Sequence, residues 1–423
     1  MEKYLKRVAD KILQKKLLSK GAVLIEGAKW CGKTTTASMQ AKSILYMQEP
    51  NKVKQNLELA EIKPSKLLEG EVPRLIDEWH MAPTLWDAIR FEVDKRDKFG
   101  QFILTGSSLP PDSSKIYHSG TGRITRLLMR PMSLYESLDS TGSVSLDNIF
   151  NNEDIEGSNN LDIKDIAFLI CRGGWPKAIN ETKEIALQQS YDYYDAIINI
   201  DISKVDNISK NPQRVSKLMR SLSRAVSTQT SFTSIVKDIK ANENDDISDE
   251  TIKKYINALK KLFVIENSEA WNPNLRSKTA IRTSDTWYFV DPSIATAALG
   301  ANENDLLNDL ELMGLLFENL CIRDLRIYLE AIDGNLYHYR DKSGLECDAV
   351  LHLRNGKYGL VEIKLGGETL IEQGIKTLSK LERNIDTQKM MKPSFKMILT
   401  AVGNYAYKNK DDIYIVPLGC LAP

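Results

Sequence analysis

A glycine-rich turn between an apolar segment and a helical one constrains the fold of this chain most strongly. Residues 27–34 read G-A-K-W-C-G-K-T and fit the pattern G-x-x-x-x-G-K-[ST]. Residues 22–25 before the turn are apolar, as in a buried strand, and residues 35–46 after it have helical spacing. Glycines let the backbone curl so that its N–H groups face phosphate oxygens, and the lysine reaches the β- and γ-phosphates. The sequence therefore predicts a nucleotide-binding loop at the start of a doubly wound parallel sheet.

Two acidic residues at the end of the next apolar segment predict the hydrolytic part of the same site. The segment P-R-L-I-D-E-W-H, which begins at residue 73, ends its apolar run at Asp77 and Glu78. We expect Thr34 to ligate Mg²⁺, Asp77 to hold the ion through water, and Glu78 to polarise the attacking water. The alternative is that both acids cap the following helix. The residues predicted to bind ATP and Mg²⁺ are Gly27, Ala28, Lys29, Trp30, Cys31, Gly32, Lys33, Thr34, Thr35 and Asp77.

A third predicted strand, at residues 101–108, ends in hydroxyl groups. Its sequence is Q-F-I-L-T-G-S-S, and Ser107 or Ser108 at its end can sense a γ-phosphate and orient water. Serine and threonine also end strands because they form turns, which is the alternative for each of them. The strand end at Ser107 is accordingly a predicted part of the hydrolytic site.

Three arginines surround the strand predicted after residue 122. Alternation places Arg126 and Arg130 on one face and Arg123 at the strand entrance. An arginine at the entrance would neutralise transition-state charge on the γ-phosphate of its own or of a neighbouring subunit. The alternative is an arginine that is solvated or paired with a carboxylate. A homo-oligomer is thus among the predicted assemblies.

The overall composition excludes several classes of protein. The chain has 423 residues, which predicts three or four domains rather than one core. Its 57 basic and 57 acidic residues cancel, so no global charge points to a nucleic acid. The five cysteines form no C-x-x-C pair, which argues against a disulfide framework and a structural zinc site. No apolar run approaches about 18 residues and no signal peptide is evident, so we expect a cytoplasmic protein without a membrane span.

Five segments in the first third of the chain resemble a known family. They are G-A-K-W-C-G-K-T from residue 27, L-I-D-E-W from 75, F-I-L-T-G-S-S from 102, H-S-G-T-G-R from 118 and M-R-P-M-S-L-Y-E from 129. Together they are similar to the bacterial and archaeal AAA-type P-loop ATPases that carry a DUF4143 region behind the ATPase core. The resemblance implies that ATP is the nucleotide and that Asp77 and Glu78 are the Walker B pair. It also implies that Ser107 or Ser108 is the sensor and that Arg123 is the best candidate for an arginine finger, while Ala28 departs from the proline that the family often has there.

Two changes in composition predict the organisation of the middle of the chain. Residues 137–162 are rich in Ser, Asp, Asn and Gly, which predicts a surface loop or a poorly ordered insertion. Residues 163–205 are predicted to be helical apart from G-G-W-P at 173–176, and the family resemblance places a helical lid directly after the ATPase core. The turn at 173–176 is a candidate for contact with the nucleotide.

Residues 212–290 have the element order of a winged helix. Three helices are predicted at 213–226, 232–239 and 251–262, followed by a hairpin of 263–266 and 286–290. The third helix and the loop after it are basic, which predicts a helix in a DNA groove with a basic wing. The alternative is a protein-docking module with ordinary solvated lysines. The basic residues are Lys253, Lys254, Lys260, Lys261, Arg276, Lys278 and Arg282.

The C-terminal third carries a second constellation of charged residues. In the predicted strand Y-G-L-V-E-I-K, Glu362 and Lys364 point to the same face, because side chains alternate along a strand. With Asp348 on an adjacent strand they would form the D…E-x-K pattern of restriction-type nucleases. Asp348 and Glu362, helped by Glu318, would then hold Mg²⁺ against a phosphodiester, and the lysine would position or deprotonate water. The alternative is a half-exposed strand that alternates charges around an apolar residue.

These observations predict an α/β protein with four parts. They are a P-loop parallel-sheet ATPase core at 1–140, a linker and helical lid at 141–205, a winged-helix-like domain at 206–300 and an α/β PD-(D/E)xK nuclease-like domain at 301–423. The family resemblance puts the DUF4143 region at about 180–423. We expect a Mg²⁺-dependent ATP hydrolase that acts as a switch or motor coupled to DNA binding and nuclease action. The alternative is a nucleotide-gated protein-docking module whose nuclease-like domain is inactive. The predicted partners are therefore ATP and either DNA or a protein.

Overall fold

The computed structural model describes residues 4–106, 119–205, 210–242, 247–272 and 285–423, which fall into two compact units. The first unit is drawn from Met1–Pro131, Asn199–Lys210 and Ile256–Phe263. The second is drawn from Met132–Ile198, Asn211–Tyr255 and Val264–Pro423. No helix in these described ranges combines the length and the apolar character that a membrane span requires.

A five-stranded parallel sheet forms the centre of the first unit, in agreement with the predicted α/β class. Its strands lie in the order β2-β3-β4-β1-β5, and every neighbouring pair is parallel. The strands are β1 Ala22–Glu26, β2 Ser43–Tyr46, β3 Arg74–Asp77, β4 Phe102–Thr105 and β5 Ile124–Leu128. The helices are α1 Val8–Leu17, α2 Lys33–Gln40, α3 Val53–Ile62 and α4 Thr84–Arg96.

Apolar residues run continuously through the central strands of this sheet, as expected for a sheet whose two faces are both buried. On β1, Ala22 and Leu24 belong to a core that includes Ile89 of α4. The alternate residue Val23 belongs to a second core, which includes Leu13 of α1. Helices therefore cover the two faces separately, and the carboxyl ends of β1, β3 and β4 meet at one edge of the sheet. In register, Ile25 and Asp77 both pair with Thr105 at that edge.

The polar segment at 137–162 is largely loop and turn, as one of the two predicted alternatives has it, but it also contains short elements that the composition did not predict. It contains strand β6 Val144–Ser145, helix α5 Leu146–Phe150 and strand β7 Gly157–Ser158. The strand β6 pairs with the chain end at Leu421–Ala422. Val144, Leu146, Ile149 and Phe150 are buried, and Phe150 packs against the distant Phe395, which local composition does not reveal.

The helices and hairpin predicted at 163–290 are present with small shifts of their ends. The helices are α6 Ile163–Arg172, α7 Lys183–Ala196, a π-helical turn Ile197–Asp201, α8 Ile202–Lys204, α9 Pro212–Arg224, α10 Phe232–Asn242 and α11 Asp249–Lys261. Strands β8 Ile265–Ser268 and β9 Thr286–Phe289 pair antiparallel. Three helices followed by a two-stranded antiparallel sheet is the predicted element order.

A mixed sheet dominates the second unit. Its order is β10-β11-β12-β13-β15-β14-β7, with antiparallel pairs at both ends and parallel pairs around β13. The strands are β10 Gly334–Arg340, β11 Glu346–Leu353, β12 Tyr358–Lys364, β13 Phe395–Thr400, β14 Tyr405–Lys408, β15 Tyr414–Pro417 and β16 Leu421–Ala422. The helices are α12 Pro292–Leu299, α13 Glu303–Asn308, α14 Leu310–Ala331 and α15 Glu368–Asn384.

The turn at 173–176 is part of a buried polar cluster in the second unit. The Gly174 amide donates to Asp291 Oδ2 at 2.9 Å, and the Trp175 indole N–H donates to Ser293 Oγ at 3.0 Å. The fully buried Arg323 guanidinium also contacts Asp291 Oδ2 at 2.7 Å and Asp324 Oδ1 at 2.8 Å. The turn is thus held by Asp291 and Ser293 at the start of α12, and its contact with a nucleotide stays a prediction.

Candidate functional site

The phosphate loop has the backbone that its glycines predict. Gly27 adopts φ 143°, and a Cβ atom placed there would lie 2.0 Å from the Met129 carbonyl oxygen. Gly32 adopts φ 97° immediately before α2 begins at Lys33. Because both positions demand glycine, the loop curls from the end of β1 directly into the helix amino terminus, where free N–H groups favour an anion.

The Lys33 side chain is folded back against its own loop. Its ammonium donates to the Gly27 carbonyl oxygen at 2.9 Å and to that of Ala28 at 2.7 Å, and the side chain is buried. A nucleotide phosphate would offer this ammonium stronger, charged acceptors than the two carbonyl groups. The lysine that the motif assigns to the β- and γ-phosphates therefore lies over its own loop.

The other predicted loop residues differ in exposure. Trp30 adopts φ 63° and is 49 % exposed, and Thr35 is exposed as well. Cys31 is fully buried, and its thiol donates to the Met129 carbonyl oxygen at 3.3 Å. The Cys31 carbonyl oxygen accepts a 2.7 Å hydrogen bond from the buried guanidinium of Arg7, just before α1. Sequence reasoning missed Arg7, because a lone arginine before an amphipathic helix carries no motif.

Asp77 is the centre of the hydrogen bonds at the carboxyl edge of the sheet. It is 2 % exposed, and its Oδ1 accepts from Thr34 Oγ1 at 2.7 Å and from Thr105 Oγ1 at 2.6 Å. Its Oδ2 accepts from Gln48 Nε2 at 2.8 Å. The structure therefore brings Thr34 and Asp77 together as predicted. Gln48 was missed, although a polar residue just beyond the end of the neighbouring strand β2 is a signal for this edge.

Glu78 lies beside this cluster with a perturbed carboxyl group. Its backbone is left-handed at φ 57°, and its Oε2 lies 3.2 Å from His80 Nδ1. Burial raises the pKa of Glu78, Asp77 raises it further, and Lys33 and Lys29 oppose the rise. Burial also lowers the pKa of His80, with the same two lysines adding to the effect, so its imidazole is neutral at pH 7. Strained backbone and shifted pKa values in one place are typical of functional sites.

Arg123 lies at the opposite end of the sheet from the phosphate loop. It directly precedes β5, and its carbonyl oxygen accepts from the amide of Ala22, the first residue of β1. The loop follows the far end of β1, roughly 13 Å away at about 3.3 Å per residue. The Arg123 guanidinium instead pairs with Asp94 Oδ1 at 2.7 Å. This placement corrects the option that Arg123 serves its own subunit's γ-phosphate, and the option in trans stays a prediction.

Two further predictions concern the region around the loop. Ser107 and Ser108 lie outside the described residues. Arg126, on β5, pairs with Glu26 Oε2 at 2.7 Å. Glu26 is the last residue before the loop, and burial raises its pKa while Arg126 opposes the rise. Arg126 therefore neutralises a half-buried carboxylate beside the loop.

The second predicted constellation also comes together. The Lys364 ammonium lies 2.8 Å from Glu362 Oε2 and 3.2 Å from Asp348 Oδ2. Asp348 Oδ2 also accepts a 2.7 Å hydrogen bond from the Ile363 amide. On α14, Glu318 accepts from the Tyr288 hydroxyl at 2.7 Å. The second atom of the Glu362 carboxyl group, Oε1, is buried without a hydrogen-bond partner.

The electrostatics of this acidic cluster reflect its burial. Burial raises the pKa of Glu362 to about 8, and Asp348 contributes to the rise while Lys364 opposes it. Burial and the charge of Asp348 also raise the pKa of Glu318 well above its usual value. Within the part of the chain that the structure describes, no group of three or more His, Cys, Asp or Glu side chains is placed to hold a metal ion. A lysine ammonium thus lies between the carboxylates predicted to bind Mg²⁺.

Some of the basic residues predicted to meet DNA have internal partners. Lys253 lies over the ring of Phe232, 5.1 Å from its centroid, and Lys254 pairs with Glu250 at 2.8 Å. Arg276, Lys278 and Arg282 lie outside the described residues. The exposed face of α11 is therefore basic, although its charge is partly neutralised within the chain.

Comparison with known families assigns domains to three parts of the chain. An AAA domain matches residues 19–138, the domain of unknown function DUF8612 matches residues 163–305, and the domain of unknown function DUF4143 matches residues 313–421. No curated protein matches the chain. The AAA match contains the phosphate loop, Asp77 and Glu78, and the DUF4143 match contains Asp348, Glu362 and Lys364.

Two solved structures share limited similarity with the chain. The Walker-type ATPase PABY2304 of Pyrococcus abyssi is 14% identical with a TM-score of 0.43, over 70% of this chain and 96% of that one. A signal transduction ATPase with numerous domains and a tetratricopeptide repeat sensor, PH0952 of Pyrococcus horikoshii, is 15% identical with a TM-score of 0.23, over 79% of this chain and 48% of that one. The chain combines an AAA domain of the P-loop ATPase type with a C-terminal DUF4143 domain, as its motifs predict.

Proposed function

We propose that the chain binds ATP with Mg²⁺ at the phosphate loop, hydrolyses it, and acts as an ATP-driven switch or motor. The observation that carries this proposal is the contact of Thr34 with the buried carboxylate of Asp77, with Glu78 next in the chain. A hydroxyl and a carboxylate are oxygen ligands of the kind that Mg²⁺ takes in nucleotide sites. Thr34 and Asp77 are therefore the residues that would hold the ion, which would neutralise phosphate charge.

The remaining groups have separate roles in this proposal. Lys33 leaves the Gly27 and Ala28 carbonyl groups and binds the β- and γ-phosphates. Glu78 accepts a proton from the attacking water, and its partial burial keeps it close to the phosphates without full solvation. The neutral imidazole of His80 lies against the Glu78 carboxyl group and limits the positions that this carboxyl group can adopt.

Hydrolysis by a Glu78→Gln variant tests the assignment. The amide keeps the shape of the side chain but cannot accept the proton, so steady-state ATP hydrolysis should fall about 100-fold or more. ATP affinity should stay within about threefold of the unmodified protein, since Glu78 does not ligate phosphate. The matched control is Glu69→Gln, which neutralises an exposed acid of the same unit that pairs with Lys66. If the Glu78→Gln variant hydrolyses ATP as fast as the unmodified protein does, Glu78 does not accept the proton of the attacking water.

A second candidate function is metal-dependent nuclease action by the DUF4143 domain. Its support is the buried, unpartnered Oε1 of Glu362 beside Asp348 and Lys364, because an orphan acceptor in a carboxylate cluster suits an incoming cation. Asp348 and Glu362 would hold Mg²⁺ only after the Lys364 ammonium moves away from both. The alternative, a protein-docking domain without nuclease chemistry, is favoured by the same ammonium between the carboxylates.

Cleavage assays separate these two options. Single-stranded and double-stranded DNA and RNA are incubated with the protein and Mg²⁺, with and without ATP. Cleavage that disappears in an Asp348→Ala variant, while ATP binding is retained, supports the nuclease. Absence of cleavage of every substrate by the unmodified protein removes the nuclease proposal and leaves docking.

We propose that α11 contacts nucleic acid through its exposed basic face. Binding of duplex DNA should weaken steeply with salt if lysines contact phosphates. A variant with K253Q, K254Q, K260Q and K261Q should bind more weakly and show a shallower salt dependence. Unchanged binding would assign the helix to a protein-docking role.

We propose that several copies of the chain assemble, and the position of Arg123 is the observation that supports this. Because Arg123 lies away from its own loop, it can reach a γ-phosphate only in a neighbouring subunit. An Arg123→Ala variant should then hydrolyse ATP more slowly only at protein concentrations at which the unmodified protein assembles. A rate lowered equally in dilute monomer would contradict action in trans.

A further inference from the structure

Lys29 of the phosphate loop forms an ion pair with Asp201 inside the first unit. Lys29 lies two residues after Gly27, and Asp201 ends the π-helical turn Ile197–Asp201 far along the chain. The Asp201 side chain is 8 % exposed, and that of Lys29 is 32 % exposed. Single turns of π-helix within α-helical segments are rare and are frequently found at functional sites. The loop is thus attached by one of its own cations to the described segment at 199–205.

Lys29 lies on the loop beside the residues that contact the lysine predicted to bind phosphate. It directly follows Ala28, whose carbonyl oxygen accepts a 2.7 Å hydrogen bond from the Lys33 ammonium. The Lys33 ammonium is the group expected at the β- and γ-phosphates. Lys29 is therefore a second cation of the phosphate loop, and its partner in the structure is the carboxylate of Asp201.

We propose that Asp201 is a positioning residue for nucleotide binding: it pairs with Lys29, and it gives up this ammonium to the γ-phosphate when a nucleoside triphosphate binds. This inference rests on the proposed nucleotide site. The γ-phosphate supplies the competing anion, and a diphosphate lacks it. The exchange of partners makes the loop discriminate between ATP and ADP, and it frees Asp201 from the loop only in the triphosphate state.

The physical reason for the competition is that one ammonium cannot satisfy both anions in the same geometry. A ligand shifts a two-state equilibrium only by its differential affinity for the two states. ATP gains the Lys29 contact but must break the pair with Asp201, whereas ADP does neither. Removal of the Asp201 charge therefore strengthens ATP binding and leaves ADP binding nearly unchanged.

Equilibrium binding of ATP and ADP, measured in EDTA to prevent hydrolysis, tests this inference. The variants are Asp201→Asn, Lys29→Gln and the double variant, and Glu69→Gln is the control for loss of an exposed carboxylate. Asp201→Asn should strengthen ATP binding about fivefold or more, the range of ordinary coupling between sites, and change ADP binding less than about twofold. Lys29→Gln should weaken ATP binding, and the Asp201→Asn effect should vanish in the double variant.

The possible failures are distinguishable. Equal effects of Asp201→Asn on ATP and ADP, or an effect that persists in the Lys29→Gln background, would overturn the role of Asp201 while leaving the nucleotide site intact. Failure of the unmodified protein to bind either nucleotide would overturn the nucleotide site and the inference together. The Asp201→Asn substitution changes a buried side chain and could lower the yield of folded protein. Lys29→Gln changes a partly exposed side chain, so ATP and ADP affinities can still be compared in that variant.

Discussion

The hydroxyl group of Thr34 donates a 2.7 Å hydrogen bond to Oδ1 of Asp77, although 43 positions separate the two residues in the chain. Thr34 is the second residue of α2, and Asp77 ends β3, which is separated from β1 by β4. The contact exists because parallel strands bring their carboxyl ends to one edge of the sheet. It joins the phosphate loop to the acidic end of β3.

The three donors to Asp77 predict a measurable cost for the loss of any one of them. Thr105→Val keeps the shape of the side chain but removes the hydroxyl that donates to Asp77 Oδ1 at 2.6 Å. A buried carboxylate that loses a donor should lower the free energy of unfolding by about 1–3 kcal/mol. Urea unfolding measures the change, and Thr105→Ser, which retains the hydroxyl, serves as the control. A valine variant as stable as the serine variant would show that this hydrogen bond contributes nothing.

The buried cluster around Arg323 predicts a large and pH-dependent effect. Arg323→Met leaves the carboxylates of Asp291 and Asp324 without their shared cation, which should destabilise the protein by about 3–5 kcal/mol at pH 7.5. Burial already raises the pKa of Asp324 to about 6, and removal of the guanidinium raises it further. The folded variant then binds more protons than its unfolded chain, so its stability falls as pH rises.

Urea unfolding at pH 5 and pH 7.5 checks this prediction. The loss of stability caused by Arg323→Met should be smaller at pH 5 than at pH 7.5. Arg326→Met is the matched control, since Arg326 pairs with the less deeply buried Glu266 at 2.7 Å. The same loss at both pH values, or a loss no larger than that of the control, would mean that the cluster is not held by its charges.

The ammonium of Lys364 predicts how the acidic cluster responds to a divalent cation. Lys364→Met removes the only cation that contacts both Glu362 and Asp348 among the described residues, so Mg²⁺ should then bind in its place. The melting temperature of the Lys364→Met variant should rise by about 2–4 °C or more in 10 mM Mg²⁺, and that of the unmodified protein should rise less. The control is Lys396→Met, which removes a lysine of β13 that contacts the single carboxylate of Glu382. Equal shifts in all three proteins would exclude a cation site at this cluster.

The parts of the fold that sequence predicts well have local causes. The central strands β1 and β3 are short apolar runs, and the glycines of the phosphate loop occupy positions where a side chain would collide or strain the backbone. The spacing of Glu362 and Lys364 fixes a shared face by strand alternation alone. These features need no knowledge of distant partners, so a pattern of a few residues is sufficient to find them.

The parts that sequence misses depend on distant partners. Arg7, Gln48 and Asp201 are ordinary polar residues whose importance comes from contacts with Cys31, Asp77 and Lys29, which no local pattern announces. The segment at 137–162 looks like a loop because its apolar residues are few. Its short strands β6 and β7 form because they pair with strands close to the C-terminal end of the chain. Arg123 was placed correctly at a strand entrance, but only the sheet register shows which end of the sheet that is.

The central claim is that residues 27–34 form an ATP site, and ATP binding to a Lys33→Ala variant tests it most directly. Isothermal titration of the unmodified protein with ATP and Mg²⁺ should give saturable binding at one site per chain. The Lys33→Ala variant, whose far-ultraviolet circular dichroism should match that of the unmodified protein, is expected to lose this binding. Tight ATP binding retained by the folded variant would contradict the account.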